Sequence, residues 1–196
     1  MKKNLEKSEL RRNIFHILIG IIIVAFINIY SVQLSLLVLA VIIILGLFIS
    51  LLSKAVSVPV ISWFLENFDR PEDIKRFPGK GALFFFLGSA ATLYLFGIQI
   101  ASASILILAI GDSLNILVGK PFGRVTNPLN SRKMIEGSFA GFVGGFIAAS
   151  FFVPWMPAMI AAAVAMIVEM IDFKEMQVND NILVPLFSGL VLYLIL

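Results

Sequence analysis

The side chains best able to do chemistry in this sequence lie between Ile110 and Gly145, in IGDSLNILVGKPFGRVTNPLNSRKMIEGSFAGFVGG. The ionisable residues of this stretch, which stand between two apolar segments, are Asp112, Lys120, Arg124, Arg132, Lys133 and Glu136. Because ionisable groups at a membrane boundary are energetically expensive, such a cluster predicts a functional site. Cations with several glycines suit a polyphosphate, and carboxylates suit the metal ion that accompanies it. We therefore predict a membrane enzyme that handles a nucleotide at the surface and a lipid in the bilayer.

Asp112 follows the apolar run SILILAIG and is predicted to lie near the end of a membrane helix. A lone carboxylate buried there needs a partner, which is either a bound Mg²⁺ or one of the cations Lys120 and Arg124. The alternative is an internal salt bridge with no catalytic role. Gly119 and Gly123 flank these cations, permit positive φ angles and expose backbone N–H groups to a phosphate. The alternative for Lys120 and Arg124 is that they only set the orientation of the helix, and the GxxxxGK[ST] pattern of a Walker A loop is absent.

The segment NSRKMIEG (130–137) begins the next apolar run. Ser131 is predicted to cap this helix and to direct its positive dipole end toward the cytoplasm. Lys133 and Glu136 are three residues apart and are predicted to share a helical face, with Lys133 on phosphate and Glu136 on metal. The alternative is a surface ion pair between the two.

Two further groups of polar residues border apolar segments. Arg12 and His16 are four residues apart at the first segment, and His16 is either a general base for a lipid hydroxyl or a polar anchor between helices. The last polar linker is flanked by Glu169, Asp172, Asp180 and Asn181. These four residues either ligate Mg²⁺ and contact a ribose, or form a solvated loop. Lys80 stands at the entrance to another apolar segment.

The composition indicates a chain that lies in a bilayer. Of its 196 residues 60% are hydrophobic and 14% are charged, and the mean hydropathy is +1.01, whereas a soluble domain is nearer half apolar and a quarter charged. The absence of cysteine excludes disulfides and thiolate metal sites, and a single histidine excludes a multi-histidine metal centre. We expect one domain over residues 1–196, no nucleic-acid partner and no particular oligomer.

Apolar runs of about 20 residues predict seven membrane helices in an all-α integral membrane protein. The predicted spans lie near 13–30, 33–53, 81–97, 99–119, 137–153, 156–172 and 181–196. The tight links carry no charge, so all of the longer charged linkers fall on one side of the membrane. The positive-inside rule makes that side the cytoplasm, with the N-terminus inside and the C-terminus outside.

Two linkers have predicted roles in this topology. Residues 54–80 are predicted to form an amphipathic interfacial segment, and residues 119–137 the loop of the nucleotide site. Small residues are frequent in several spans, most densely in GSFAGFVGG (137–145). They indicate either close helix packing in lipid or a groove beside the active site for a slender lipid chain.

Five segments, in order, carry a family resemblance. ELRRNIFHILIG (9–20) is similar to an Arg-Lys-x-x-His helix with Asn13 in the Lys place, and NSRKMIEGSFAG (130–141) to a Lys-(Ser/Thr)-x-Glu-Gly element with Met134 in the Ser/Thr place. The other three segments are FPGKGAL (77–83), GDSLNILVGKPFGR (111–124) and NDNILVPLFSGL (179–190). Together they resemble the CTP-dependent lipid kinases of the dolichol kinase and phytol kinase group. These kinases belong to a CTP-transferase-like family that includes the phosphatidate cytidylyltransferases.

The resemblance implies transfer of the γ-phosphate of CTP to a membrane lipid alcohol, with Mg²⁺ or Mn²⁺ as cofactor. The alcohol would be a polyprenol or dolichol, phytol, geranylgeraniol or diacylglycerol, and the products a lipid monophosphate and CDP. We expect the site to face the cytoplasm at the cell membrane or an endoplasmic-reticulum-type membrane. The expected metal ligands are Asp112, Glu136 and Asp180. The expected catalytic residues are Asp112, His16, Lys133 and Glu136. The expected nucleotide-binding residues are Lys120, Arg124, Lys133, Gly119, Gly123, Arg12, Lys80, Asp180 and Asn181.

Two other functions compete with this one. A cytidylyltransferase would join the lipid phosphate to the α-phosphate of CTP, but such enzymes usually carry a Pro-Gly-His-Gly-Gly element, and this chain has no histidine after His16. A non-enzymatic transporter is the second alternative. It leaves the charge clustered at one membrane face unexplained, and it should not respond to CTP.

Overall fold

A computed structural model describes residues 2–56, 59–69, 71–128, 130–171 and 179–196, with the backbone alone for 2–6, 71–72 and 131–132. Helices account for most of these residues, which confirms the predicted all-α class. In chain order the elements are α1 (Lys2–Ile29), α2 (Val32–Ala55), α3 (Pro59–Phe68), α4 (Pro71–Arg76), α5 (Lys80–Leu106), a π-helical segment (Ile107–Asp112), α6 (Ser113–Phe122), β1 (Thr126–Asn127), β2 (Asn130–Met134), α7 (Ile135–Ala149), α8 (Trp155–Met170) and α9 (Asp180–Ile195).

By length and composition, the described residues contain three helical stretches able to cross a membrane. They are Lys7–Ile29, Val32–Ala55 and Lys80–Phe122, and the apolar helices α7, α8 and α9 are shorter. Large apolar side chains such as Ile44 and Phe48 are exposed along α2, as expected for a surface in contact with lipid. These helices indicate a membrane protein, while the count of seven spans and their orientation remain predictions.

The stretch from Lys80 to Phe122 is not one straight helix. Gly97 has φ +77° and ψ 178°, which is not helical, and this break coincides with the predicted link between the third and fourth spans. A positive φ of this kind favours glycine because it has no Cβ. The second half of α5 and the π-helical segment then form the centre of the protein, where Ile105, Ile107 and Leu108 are fully buried.

Buried hydroxyl groups within this apolar core are largely satisfied inside their own helices. The hydroxyls of Ser89, Thr92 and Ser188 donate to carbonyl oxygens four residues earlier, over 2.7–2.8 Å. Asn28 of α1 donates to Ser102 Oγ of α5 over 2.8 Å and thereby joins the two helices. Such pairing matters because an unpaired polar group in an apolar environment is costly.

The segment predicted to be interfacial, residues 54–80, contains the short helices α3 and α4. Phe64 and Phe68 of α3 pack against Phe15 of α1, with ring centroids 5.5 and 4.9 Å from that of Phe15. The Asp69 carboxylate accepts a hydrogen bond from the backbone N–H of Gly79 over 2.7 Å, which fixes the start of α5. The position of this segment at a membrane surface remains a prediction.

The loop before α7 folds differently from the sequence-based prediction. The strands β1 and β2 pair antiparallel, and α7 begins at Ile135 with Met134 at its N-cap. The predicted Ser131 cap is therefore wrong. The predicted shared helical face of Lys133 and Glu136 is also wrong, because Lys133 lies in β2. The hairpin takes the backbone hydrogen bonds that a longer helix would have used, and Ile135 N–H donates to the Val125 carbonyl over 2.9 Å.

The small residues of GSFAGFVGG pack α7 closely against the π-helical segment and α6. A Cβ on Gly141 would lie 2.5 Å from the carbonyl oxygen of Gly111, and a Cβ on Gly137 would overlap the backbone of Asn115. These contacts confirm the close-packing interpretation, whereas the groove for a lipid chain beside the active site stays a prediction. Such contact is how small residues bring helices together where lipid gives no hydrophobic drive.

Candidate active site

Four elements bring charged side chains together around Lys133 of β2. The Lys133 ammonium donates to the Glu169 carbonyl oxygen over 2.6 Å and to Glu169 Oε1 over 3.0 Å, and it lies 3.5 Å from Asp180 Oδ2. Asp112 is close enough to add to the negative charge that acts on Lys133. The structure thus unites three residues predicted from the sequence, Asp112, Lys133 and Asp180, with Glu169. We call these four residues the charged cluster.

Glu169 is the most buried member of the charged cluster, with its side chain fully inaccessible to solvent. Its Oε1 accepts hydrogen bonds from Asn115 Nδ2 over 2.7 Å and from Lys133. The Asp112 carboxyl lies within hydrogen-bonding reach of the Glu169 carboxyl. Glu169 Oε2 has no hydrogen-bond donor among the described residues.

Local sequence explains why these side chains converge. Asp112 ends the π-helical segment, and such wide turns within α-helices occur frequently at functional sites. Close packing of α6 on α7 places Asn115 over Gly137 and lets its amide reach Glu169 of α8. Asp180 lies in the first turn of α9, where the Asn179 side chain caps the helix by accepting from Asn181 N–H over 3.0 Å.

The surroundings of Lys133 hold it in the charged form. Burial of the ammonium lowers the pKa of Lys133, but the negative charges of Glu169, Asp180 and Asp112 outweigh that effect. The net result is a pKa raised above the ordinary lysine value. Lys133 is therefore a fixed positive charge whose side chain is still 19% exposed, which suits contact with an anion entering from outside.

Glu136 has a different role in the structure. Its carboxylate accepts hydrogen bonds from the backbone N–H groups of Arg124 and Val125, over 2.9 and 3.1 Å. The pKa of Glu136 is lowered by its own backbone N–H first and by these two N–H groups besides. Of the turn from Gly119 to Arg124, whose N–H groups were predicted to face a phosphate, the Arg124 N–H thus binds Glu136. The turn does not use the positive φ angles that its glycines permit: among the described glycines only Gly79 and Gly97 have them, and at Gly123 a Cβ would overlap Met134.

The remaining predicted residues contact partners outside the charged cluster. Lys120 forms an exposed ion pair with Glu9 of α1. Lys80 lies over the Phe84 ring at 5.9 Å, and Asn181 donates to the Gly81 carbonyl over 2.8 Å. The structure does not bring these three together with Lys133, and their predicted nucleotide contacts stay predictions, as do those of Gly119, Gly123, Arg12 and Arg124. Asp172 lies outside the described residues.

His16 lies on the side of α1 that faces the π-helical segment. The carbonyl oxygen of Asn13, one turn earlier, accepts from Ser113 Oγ over 3.2 Å, and Gly20, one turn later, contacts Ala109. The imidazole ring packs against Phe85 with centroids 4.2 Å apart and the ring planes tilted by 44°. This face of α1 therefore packs against the π-helical segment and α6.

Two members of the site were absent from the predicted set of site residues. Glu169 was recognised only as part of an acidic group near the last linker, and Asn115 was not considered. The sequence could have indicated both, because each is a polar residue within an otherwise apolar segment, VAMIVEM for Glu169 and SLNILV for Asn115. Such residues face protein or a cavity rather than lipid.

The charged cluster offers two adjacent carboxyl groups to a divalent cation, but not a complete metal site. Within the described residues no group of three histidines or carboxylates converges as a ready-made metal site, so Asp112, Glu136 and Asp180 do not form one. Asp112 and Glu169 do offer adjacent carboxyl groups, and Glu169 Oε2 accepts no hydrogen bond from the described residues. Mg²⁺ in phosphate-handling sites is commonly held by one or two carboxylates plus substrate phosphates and water.

Comparison with known proteins gives distant similarity to phytol kinases. The chain is 33% identical over 111 residues to a probable phytol kinase of Triticum aestivum, covering 49% of this chain and 37% of that one. It is 27% identical to phytol kinase 1 of Arabidopsis thaliana over 98% of this chain and 68% of that one. An uncharacterised protein of Methanocaldococcus jannaschii is 28% identical over 71% of this chain and 69% of its own length. No protein-family model and no solved structure matches the chain.

Proposed function

We propose that this protein is a lipid alcohol kinase that transfers the γ-phosphate of CTP to the hydroxyl of a long-chain membrane alcohol. The observation that carries the proposal is the charged cluster, in which Lys133 contacts the fully buried Glu169, beside Asp112 at the end of a membrane-type helix. The similarity to proteins named phytol kinase supports a lipid alcohol as acceptor. CTP as donor rests on the resemblance of the motifs alone.

In this proposal the alcohol oxygen attacks the γ-phosphorus, the bond to the β-phosphate oxygen breaks, and CDP leaves. Lys133 neutralises the phosphate charge, since phosphoryl transfer depends mainly on positioning and electrostatic stabilisation. His16 accepts the hydroxyl proton in this proposal, and its place on the face of α1 that packs against the π-helical segment and α6 supports that role. Asp112 and Glu169 would hold Mg²⁺ or Mn²⁺, with Asp180 beside them. When bound, such an ion offsets the negative charge that develops on the phosphate oxygens.

The test is a transfer assay with purified protein, Mg²⁺ and a panel of phytol, geranylgeraniol, polyprenols and diacylglycerol. CTP labelled on the γ-phosphate should deliver label to the organic phase, and parallel reactions with ATP, GTP and UTP establish which base is used. Asp112→Asn, which keeps the side-chain shape, should abolish transfer while the protein stays folded.

Two results would redirect the proposal. Transfer of α-label to phosphatidic acid, without γ-label transfer to any alcohol, would favour a cytidylyltransferase. Failure of CTP to raise the thermal stability, together with no transfer at all, would favour a transporter.

A further inference from the structure

An apolar cavity of about 330 Å³ lies between α2, α3 and α5, separate from the charged cluster. This volume is within the range of ~300–1,000 Å³ typical of small-molecule sites. The residues that line the cavity carry no charge, and α2 contributes to it from Ile42 to Ser53. Since an α-helix rises 1.5 Å per residue, the cavity follows α2 for about 16 Å. It is therefore long as well as apolar.

The two ends of this cavity differ in polarity. Ile42 and Gly46 line the end toward the middle of α2, and the missing Cβ of Gly46 makes room for Leu83 of α5. Ser50 and Ser53 line the other end, beside Gly79 at the start of α5. The polarity therefore rises toward the ends of the helices, as it does along a single-chain alcohol from tail to hydroxyl.

Ser50 supplies the observation that points to a ligand. Its side chain is only 2% exposed, and its Oγ has no hydrogen-bond partner among the described residues. Ser53 Oγ nearby donates to the Ser50 carbonyl over 2.9 Å. A buried hydroxyl without a partner is unfavourable, and a ligand hydroxyl would satisfy it. A plain hydrocarbon occupying the same space would not.

One short stretch of α5 borders both the polar end of the cavity and the start of α9, which carries Asp180. Gly79 and Ala82 line the cavity, while the carbonyl of Gly81 accepts from Asn181, the residue after Asp180. The first turn of α5 thus has the cavity on one face and the start of α9 on another. A ligand with its hydroxyl near Ser50 would have its reactive end at the turn that anchors Asp180.

We propose that this cavity binds the chain of a long primary alcohol, with the hydroxyl near Ser50 and Ser53 and the tail along Gly46 and Ile42. That the bound alcohol is then phosphorylated rests on the proposed function. That the alcohol binds in this cavity can be tested independently, because occupancy of the cavity requires no nucleotide.

The experiment is photolabelling of the purified protein with a primary alcohol of about twenty carbons that carries a diazirine in its chain, without nucleotide. Peptide mapping should place the label on the cavity-lining parts of α2, α3 and α5. Phytol should compete for labelling, and phytane, the same skeleton without the hydroxyl, should compete about tenfold less well. Ser50→Ala should remove most of the difference between phytol and phytane.

Matched variants separate occupancy of the cavity from misfolding. Ile49→Trp fills the cavity and should reduce labelling at least tenfold, whereas Phe48→Trp, on the exposed side of the same helix, should leave it unchanged. Label spread over other helices, or equal labelling of both variants, would overturn the inference. Labelling of the cavity without phosphoryl transfer would uphold this site and reject the kinase proposal, and transfer with label elsewhere would do the reverse.

Discussion

Replacement of Lys133 by methionine removes the positive charge at the centre of the charged cluster while keeping a long unbranched side chain. The ammonium lies 3.0 Å from Glu169 Oε1, and Glu169 is fully buried. With Glu169 ionised, two unit charges at that separation attract by about 5.5 kcal/mol at an effective dielectric constant of ~20. Desolvation offsets part of this attraction, and Asp180 adds less because water screens its 38% exposed side chain. We expect Lys133→Met to lower the free energy of unfolding by about 3 kcal/mol, near the lower end for a broken buried pair.

The assay is unfolding in a fixed detergent, followed by circular dichroism, as part of a double-mutant cycle with Glu169→Gln. The double variant leaves no unpaired charge at these two positions. Its loss of unfolding free energy should therefore be about 1–3 kcal/mol smaller than the sum of the losses in the two single variants. Lys120→Met is the matched control, because its ion pair with Glu9 is 55% exposed on the lysine side and should contribute at most about 1 kcal/mol. Equal losses in Lys133→Met and Lys120→Met, or no recovery in the double variant, would refute the reasoning.

Three further predictions concern packing, pH and catalysis. Gly141→Ala should lower the free energy of unfolding by about 1–3 kcal/mol through overpacking, because its Cβ would lie 2.5 Å from a backbone oxygen. The control in the same thermal unfolding assay is Gly81→Ala, whose Cβ would have nothing within 4 Å and which should be neutral or stabilising. The lowered pKa of Glu136 means that its stabilisation is present above the ordinary carboxyl pKa and is lost as pH falls through the lowered value. Protection of the Arg124 amide against hydrogen exchange should therefore be retained down to the ordinary carboxyl pKa and fall only at lower pH, and Glu136→Gln should show weaker protection with no such step. Asp112→Asn should reduce γ-phosphate transfer at least a hundredfold with an unchanged unfolding temperature; near-normal turnover would show that the Asp112 carboxylate is not needed.

The helices could be predicted from the sequence because apolar runs bounded by charged or Gly/Pro-containing links have few other solutions in a bilayer. The break at Gly97 was visible for the same reason, as a short uncharged link between two apolar runs. The β1–β2 hairpin could not be predicted this way. Its strands are short and polar, and they depend on pairing with each other rather than on an apolar periodicity.

The site could be predicted in its residue types but only partly in its geometry. Asp112 and Lys133 stood out because charge within or beside apolar segments needs a reason. The partnership of Lys133 with Glu169 joins residues 36 positions apart through the packing of α7 on α8, which no local spacing encodes. Glu136 was predicted to bind a metal ion because it lies three residues from Lys133 in the sequence. The hairpin instead turns its carboxylate toward the backbone of Arg124 and Val125.

The contact between α1 and α6 has a consequence for the order of assembly during synthesis. Asn13 accepts its hydrogen bond from Ser113, which follows it by 100 residues. At about 5–20 residues per second, the ribosome adds the intervening chain in roughly 5–20 s. Throughout that interval α1 is inserted without the partner helix that covers its polar face, and Asp180 completes the charged cluster later still. A nascent chain halted before α6 therefore lacks the Ser113 hydroxyl that binds the Asn13 carbonyl, so this contact between α1 and α6 can form only late in synthesis.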